Sequence, residues 1–178
     1  MIIMQTAKIV YDGFHKVAVL ESEMKGKKVL REQLLVKNAV AGIVTDEEGK
    51  IGLVSQYRPV IGKQTKEIPA GLVDKEGLSP EEILIEELWE ECGIKKGDML
   101  SLTPSEIPAY FMMGGSSNAT ITIYRVKVTT QFNKIVEDAD VDEVEWIDLA
   151  TYKRYIEDGV ISDGKSIIAY YLLQNEAK

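Results

Sequence analysis

Between Ser79 and Gly93 the sequence SPEEILIEELWEECG specifies both ends of a helix and two faces that belong in opposite environments. Ser79 is a good N-cap, Pro80 suits the first helical position, Glu82 completes an S-x-x-E capping box, and Gly93 supplies a stop. At 3.6 residues per turn Leu84, Ile85, Leu88, Trp89 and Cys92 fall on one stripe, with Glu87, Glu90 and Glu91 on roughly the opposite face. The apolar stripe requires a core to cover it. The acidic face carries a penalty: like charges at i,i+3 and i,i+4 weaken a helix by roughly a few tenths of a kcal/mol per pair, and the helix dipole disfavours anions near the C-terminal end, where Glu90 and Glu91 lie. A hard divalent cation offsets that penalty, because it binds carboxylate oxygens and keeps waters and substrate phosphates as its remaining ligands. For an acidic helix in isolation, a solvated surface is the competing reading.

The surrounding pattern bears on that choice. From Gly71 to Ile94, GLVDKEGLSPEEILIEELWEECGI resembles the signature of the Nudix family, G-x5-E-x7-R-E-U-x-E-E-x-G-U with U aliphatic, and Glu87, Leu88, Glu90, Glu91, Gly93 and Ile94 match it. It departs in three places. The loop after Gly71 is one residue longer, Leu78 stands where the family has its first Glu, and Glu86 replaces the Arg. In the family those two residues usually pair with each other, so their joint loss reads as a coupled change that spares the three carboxylates. The phrases AGLVD, GLSPEE and WEECG are similar to the branch that hydrolyses UDP-glucose, whose loop is also longer and lacks the first Glu. The Glu86 charge either joins the metal site or pairs with a base such as Lys75 in the lengthened loop.

Upstream, QYRPVIGKQTKEIPAGLVD resembles the segment that precedes the signature in Nudix enzymes acting on nucleotide sugars, where an Arg at a strand end and a Glu before I-P-A-G line the site. Arg58 and Glu67 occupy those positions. An Arg suits phosphate because its guanidinium is a permanently charged fork of donors, although a surface Arg58 paired with an acidic neighbour fits the same residues. The resemblance implies metal ligation by Glu87, Glu90, Glu91 and the Ala70 carbonyl, Mg²⁺ or Mn²⁺ as cofactor, Glu90 among the catalytic residues, and Arg58 and Glu67 against the substrate. It also implies a base on the acidic loop VEDADVDE, with Asp138 and Asp140 as candidates; a solvated loop is the alternative. Related enzymes often carry P-G-G-x-S-E where this chain has MMGGSSN, and Asn118 in place of that Glu removes a carboxylate base from this loop. Tyr110, Phe111, Met112 and Met113 fit either a base or sugar pocket or the core.

The rest of the chain is organised around strands. AKIVYD, HKVAVLESEM and KKVLREQLLVK alternate in the β manner between Asp12-Gly13 and Lys25-Gly26 turns, so residues 1–36 read as an antiparallel meander. The Nudix resemblance assigns such a meander to exchange between two subunits and implies a homodimer, with residues 37–178 forming the hydrolase domain. AVAGIVTD and KIGLVSQYRP read as a hairpin of central strands covered on both faces, around a Glu47-Glu48-Gly49 turn. LTPSEIPAYF and NATITIYRVKV read as two strands, Trp146 and Ile147 as packed positions of another, and LATYKRYIEDG and SIIAYYLLQNEAK as two closing helices. The expected fold is α/β: an α/β/α sandwich with a mixed sheet, preceded by a small antiparallel sheet.

With 178 residues, 45% of them hydrophobic and 28% charged, the chain suits one main core. A formal charge of −8 argues against a nucleic-acid partner. There is no apolar run of the 18 or more residues that a membrane helix needs, and no signal peptide is evident. One cysteine suits the reducing cytoplasm, and one histidine leaves no triad or His-rich zinc site. Cys92 lies on the apolar stripe and reads as packing rather than as a nucleophile. The expected activity is metal-dependent hydrolysis of the pyrophosphate bond of a nucleoside diphosphate sugar of the ADP-ribose or UDP-glucose type. The alternatives are a catalytically weakened binding or interaction protein on the same fold, and a house-cleaning nucleoside triphosphate pyrophosphatase.

Overall fold

The structure is a computed structural model that describes residues 4–132 and 140–176. Three strands, β1 (Met4–Asp12), β2 (Lys16–Met24) and β3 (Lys27–Leu35), form a separate antiparallel meander. Lys25 and Gly26 turn β2 into β3 with φ of 53° and 74°, the positive pair that a tight hairpin following the right-handed strand twist requires. Ile9, Val10, Tyr11, Met24 and Leu30 of this sheet are exposed. Two hydrogen bonds tie its last strand to a later loop: the Leu34 N–H donates to Ser116 O at 2.8 Å, and Gln33 Nε2 donates to Asn118 Oδ1 at 2.7 Å.

The main sheet begins with β4 (Ala39–Thr45) and β5 (Ile51–Arg58), whose apolar runs are almost wholly buried. Asp46 closes the turn between them by accepting from the N–H groups of Glu48 and Lys50 at 2.9 and 2.7 Å. These strands stay paired only at Val44–Gly52 and Thr45–Ile51 and then part. β6 (Lys63–Glu67) becomes the partner of β5, and β7 (Ala70–Leu72) that of β4. Helix α1 (Pro80–Cys92) follows, then β8 (Met99–Pro104), the short β9 (Tyr110–Phe111), β10 (Thr120–Val128), β11 (Val141–Ile147), α2 (Leu149–Glu157) and α3 (Gly164–Glu176). The strand order is β11-β5-β4-β10-β8, and β10 runs parallel to β4 while the remaining pairs are antiparallel.

Alternation along the central strands sorts the core into two layers. Ala39, Ala41 and Ile43 of β4 and Ile121 and Ile123 of β10 face α2 and α3, where they pack with Tyr152, Ala169, Tyr170, Leu172 and Leu173. Val40 and Val44, with Tyr124, Val126 and Val128, face α1 and meet Ile83, Leu84, Leu88 and Cys92. The mixed sheet therefore lies between helices on both faces, as the sequence predicts. β6 and β7, absent from that reading, are short and carry little apolar alternation.

Candidate active site

Helix α1 is built as its sequence specifies. Ser79 Oγ accepts from the Glu82 N–H at 3.2 Å while Glu82 Oε2 accepts from the Ser79 N–H at 2.8 Å, and Gly93 ends the helix at φ 74°. The buried stripe is rotated from the one expected. It consists of Ile83, Leu84, Leu88, Glu91 and Cys92, with Ile85 and Trp89 only half-buried. Glu91 is thus not on the outer face. It lies seven positions after Leu84, two helical turns along the same line, and is 3% exposed. Its Oε2 accepts from the Ala70 N–H of β7 at 3.2 Å, which gives the buried carboxylate a donor.

The other carboxylates are placed by equally local means. Glu87 lies flat against the backbone of Gly71: a Cβ at that glycine would fall 2.0 Å from Glu87 Cδ and 2.1 Å from Oε1. Only a residue without a side chain lets the helix and β7 approach this closely. Lys75, in the lengthened loop, pairs with Glu86 at 2.7 Å and lies 3.6 Å from Glu90 Oε1. Hydrogen bonding to Glu86, aided by the charge of Glu90, raises the Lys75 pKa above its ordinary value. Of the two fates open to the Glu86 charge, pairing with Lys75 is the one observed.

The ends of β5 and β6 and the start of α3 converge. Glu67 is 2% exposed and accepts four donors. Arg58 Nε and Nη2 reach its two oxygens at 2.8 and 2.6 Å, Thr65 Oγ1 reaches Oε1 at 2.5 Å, and Lys165 Nζ pairs with Oε2. Burial alone would raise the Glu67 pKa; Arg58, Lys165 and Thr65 together outweigh it and lower the value to about 2. Lys165 also donates to Asp163 Oδ1 at 2.9 Å. Ser166 fixes this first turn of α3 by accepting the Ile68 N–H at 2.9 Å and, through its carbonyl, the Tyr152 hydroxyl at 2.8 Å.

Above these charges opens a cavity of about 620 Å³ whose walls include Val60, Ile61, Tyr110, Met112 and Met113. Arg58 and Glu67 are among its lining residues, and the charge of Glu91 makes a minor contribution to the field at Arg58. Tyr110, Met112 and Met113 line this cavity, Tyr110 also packing against the core, while the exposed Phe111 is not part of the lining. A second cavity of about 500 Å³, around Thr45, Asp46, Arg125 and Lys127, lies at the opposite end of β4.

Of the two candidate bases, Asp138 lies outside the described residues. Asp140 is exposed, immediately before Val141, which pairs with Gln56 two residues from Arg58. Asn118 takes a structural role as the acceptor for Gln33. Burial pushes the Cys92 thiol well above its ordinary pKa, with Glu91 adding to the effect, so it is no thiolate nucleophile. Sequence reasoning missed Thr65, Asp163 and Lys165. Lys165 stands 98 residues from Glu67, immediately before the segment SIIAYYLLQNEAK that reads only as a closing helix.

The helix offers oxygen donors, the chemistry a hard divalent cation takes, and Gly71 keeps Glu87 tight against β7. Among the described residues, no three acidic, cysteine or histidine side chains are gathered as a metal cluster. Glu91 is bonded to an amide and Glu90 lies beside Lys75.

A mixed sheet sandwiched by helices, with an acidic helix packed on a glycine strand, defines a fold shared with known hydrolases. A solved structure described as an ADP compounds hydrolase superposes with a TM-score of 0.76 over 98% of this chain and 92% of its own, at 16% identity. The family model described as NUDIX domain matches residues 36–169. A methanol dehydrogenase activator from Bacillus methanolicus is 32% identical over 154 residues, 84% of this chain and 78% of that protein. An ADP-ribose pyrophosphatase from Bacillus subtilis is 27% identical with the same coverage. The chain belongs to the Nudix family and is a Nudix hydrolase.

Proposed function

We propose that the protein cleaves the pyrophosphate bond of a nucleoside diphosphate sugar of the ADP-ribose type in a reaction that requires Mg²⁺ or Mn²⁺. The observation that carries this reading is the contact between Glu87 and the Gly71 backbone, which holds the carboxylate-bearing helix tight against the strand that carries Ala70. Glu87, Glu90 and Glu91, with the Ala70 carbonyl, would hold the metal, which supplies positive charge to the phosphates and lowers the pKa of bound water. Arg58 steadies the diphosphate through the edge of its guanidinium that Glu67 does not occupy. Glu67, which also lines the cavity, fixes that fork beside the substrate through its bonds with Arg58, Thr65 and Lys165. Tyr110, Met112 and Met113 offer the apolar and polarisable surface on which a base or sugar rests. Asp138 and Asp140 are the candidates for removing a proton from the attacking water, together with Glu90.

The pairing of Glu86 with Lys75 supports an active enzyme over a binding protein, because the extra anion has a cation 2.7 Å away, one that also lies 3.6 Å from Glu90. The names of the relatives favour ADP-ribose among the nucleotide sugars. A homodimer joined through β1–β3 accounts for the apolar residues exposed on that sheet. The test is a substrate screen with ADP-ribose, UDP-glucose, GDP-mannose and dNTPs, in Mg²⁺ and then in EDTA. The expected result is turnover of ADP-ribose to AMP and ribose 5-phosphate, abolished by EDTA. Preferential hydrolysis of dNTPs, or binding of ADP-ribose without turnover in either metal, overturns the proposal.

A further inference from the structure

A row of four charges crosses the floor of the cavity: Arg58 from β5, Glu67 from β6, then Lys165 and Asp163 from the start of α3. The row sums to zero only while Lys165 is in it. Glu67 alone cancels the charge that Arg58 offers a ligand, and Lys165 restores it by engaging the same carboxylate oxygen as Arg58 Nη2. Asp163 then opposes Lys165. Its Oδ1 accepts from Lys165 Nζ and from the Ser166 N–H at 3.1 Å, while its Oδ2 is buried with no hydrogen-bond partner. A buried carboxylate oxygen left unsatisfied is unfavourable, and helix capping alone needs no charge here, since an Asn would cap as well. The negative charge itself is therefore the feature to explain. Other groups facing the row are Glu91 from α1 and Tyr110 from β9.

We infer that Lys165 and Asp163 are a specificity-determining pair that sets the net charge of this pocket: Lys165 frees the positive charge of Arg58 for a nucleoside diphosphate, and Asp163 limits the attraction so that more highly charged nucleotides gain no advantage. This rests on the reading of Arg58 as the diphosphate-binding residue. Neither side chain needs to touch substrate. Both act through the field at the guanidinium, where a unit charge a few Å away in a poorly solvated site changes a dissociation constant by about tenfold. That field acts more strongly on a triphosphate than on a diphosphate, because the energy scales with ligand charge.

The experiment is calorimetric binding of ADP and of ATP to the full chain in Mg²⁺, with kcat and KM for ADP-ribose measured alongside. Lys165→Met is expected to weaken ADP about tenfold, Lys165→Arg to stay within about twofold, and Asp163→Asn to tighten ADP several-fold and ATP more than ADP. The double variant Asp163→Asn/Lys165→Met should return near wild type. In each case KM moves more than kcat. If Lys165→Met does not fold, Asp163→Asn, which keeps an acceptor for Ser166 and Lys165, decides the matter through its ATP-to-ADP ratio. An unchanged or opposite ratio in Asp163→Asn, or weakening in both single variants, overturns the inference. Arg58→Met separates it from the reading beneath it: unchanged ADP binding there removes both, whereas weakened binding there without opposite effects at positions 163 and 165 removes the pair alone.

Discussion

Gly71→Ala separates catalysis from stability at a single methyl group. The new Cβ would lie 2.0 Å from Glu87 Cδ, 2.1 Å from Oε1 and 2.3 Å from Cγ, so the Glu87 side chain must leave its place. Gly71 is not among the glycines with positive φ, and its strand pairing with Val40 lies within the conformational range of alanine. The clash falls on the flexible end of one side chain. Moving it to another rotamer costs about 1 kcal/mol, and the lower unfolded-state entropy of alanine returns roughly 0.5–1 kcal/mol. The expected change in Tm is at most a few degrees, since about 1 kcal/mol moves the Tm of a domain this size by ~2–4 °C. Activity should respond quite differently, because displacing a catalytic group by about 1 Å costs on the order of 100-fold. The assay is metal-titrated turnover of ADP-ribose beside thermal melting, on Gly71→Ala, Glu87→Gln and the double variant. Full turnover in Gly71→Ala would show that Glu87 does not act from this position. A large fall in Tm would make the glycine a packing requirement instead. The double variant should be no worse than Glu87→Gln alone, because both changes remove one function.

Glu87→Gln and Glu91→Gln should each lower kcat by orders of magnitude with the fold retained by circular dichroism, and unchanged turnover in either removes that residue from the metal set. Glu86→Gln should alter activity by less than about tenfold, roughly 1.4 kcal/mol, because its partner Lys75 belongs to an exposed pair; an inert wild type that Glu86→Arg revives would instead show that this substitution disabled the site. The depressed Glu67 pKa contributes stability that is present above pH 4.5 and is lost as pH falls toward about 2, on the order of 3 kcal/mol in all. Urea melts of Glu67→Gln should accordingly show a deficit at neutral pH that narrows through that window, and a deficit independent of pH contradicts the assigned ion pairs. Sedimentation at micromolar concentration should find a dimer that is lost, with solubility or activity, on deletion of residues 1–36; a wild-type monomer counts against the role given to β1–β3.

What could be read from the sequence is what short-range chemistry fixes. The capping box of α1, the glycine at its end and the apolar runs of β4 and β5 are each decided within a few residues. The Nudix pattern adds the identity of the acidic helix. Helical angle alone puts Glu91 in line with the buried Leu84; what the sequence does not show is the donor that makes burial of a carboxylate tolerable, the amide of Ala70, 21 residues earlier. β6 and β7 escaped notice because their partners, not their composition, make them strands: KQTKE and AGL become ordered where β4 and β5 part. Lys165 was invisible for the same reason on a larger scale. Its meaning lies in a carboxylate that only the folded sheet brings within reach.

The parallel pairing of β10 with β4 dictates when during synthesis this protein can become functional. Ala39 meets Ile121 only after more than eighty residues have followed it, and Glu67 meets Lys165 later still. Contacts this distant along the chain are entropically expensive to close and slow folding. A nascent chain that has passed Gly93 can already form α1, yet the cavity cannot close until the first turn of α3 has emerged. During that interval the apolar faces of β4 and β5 that await α3 are open to other chains, so the birth of this enzyme carries an aggregation risk of its own.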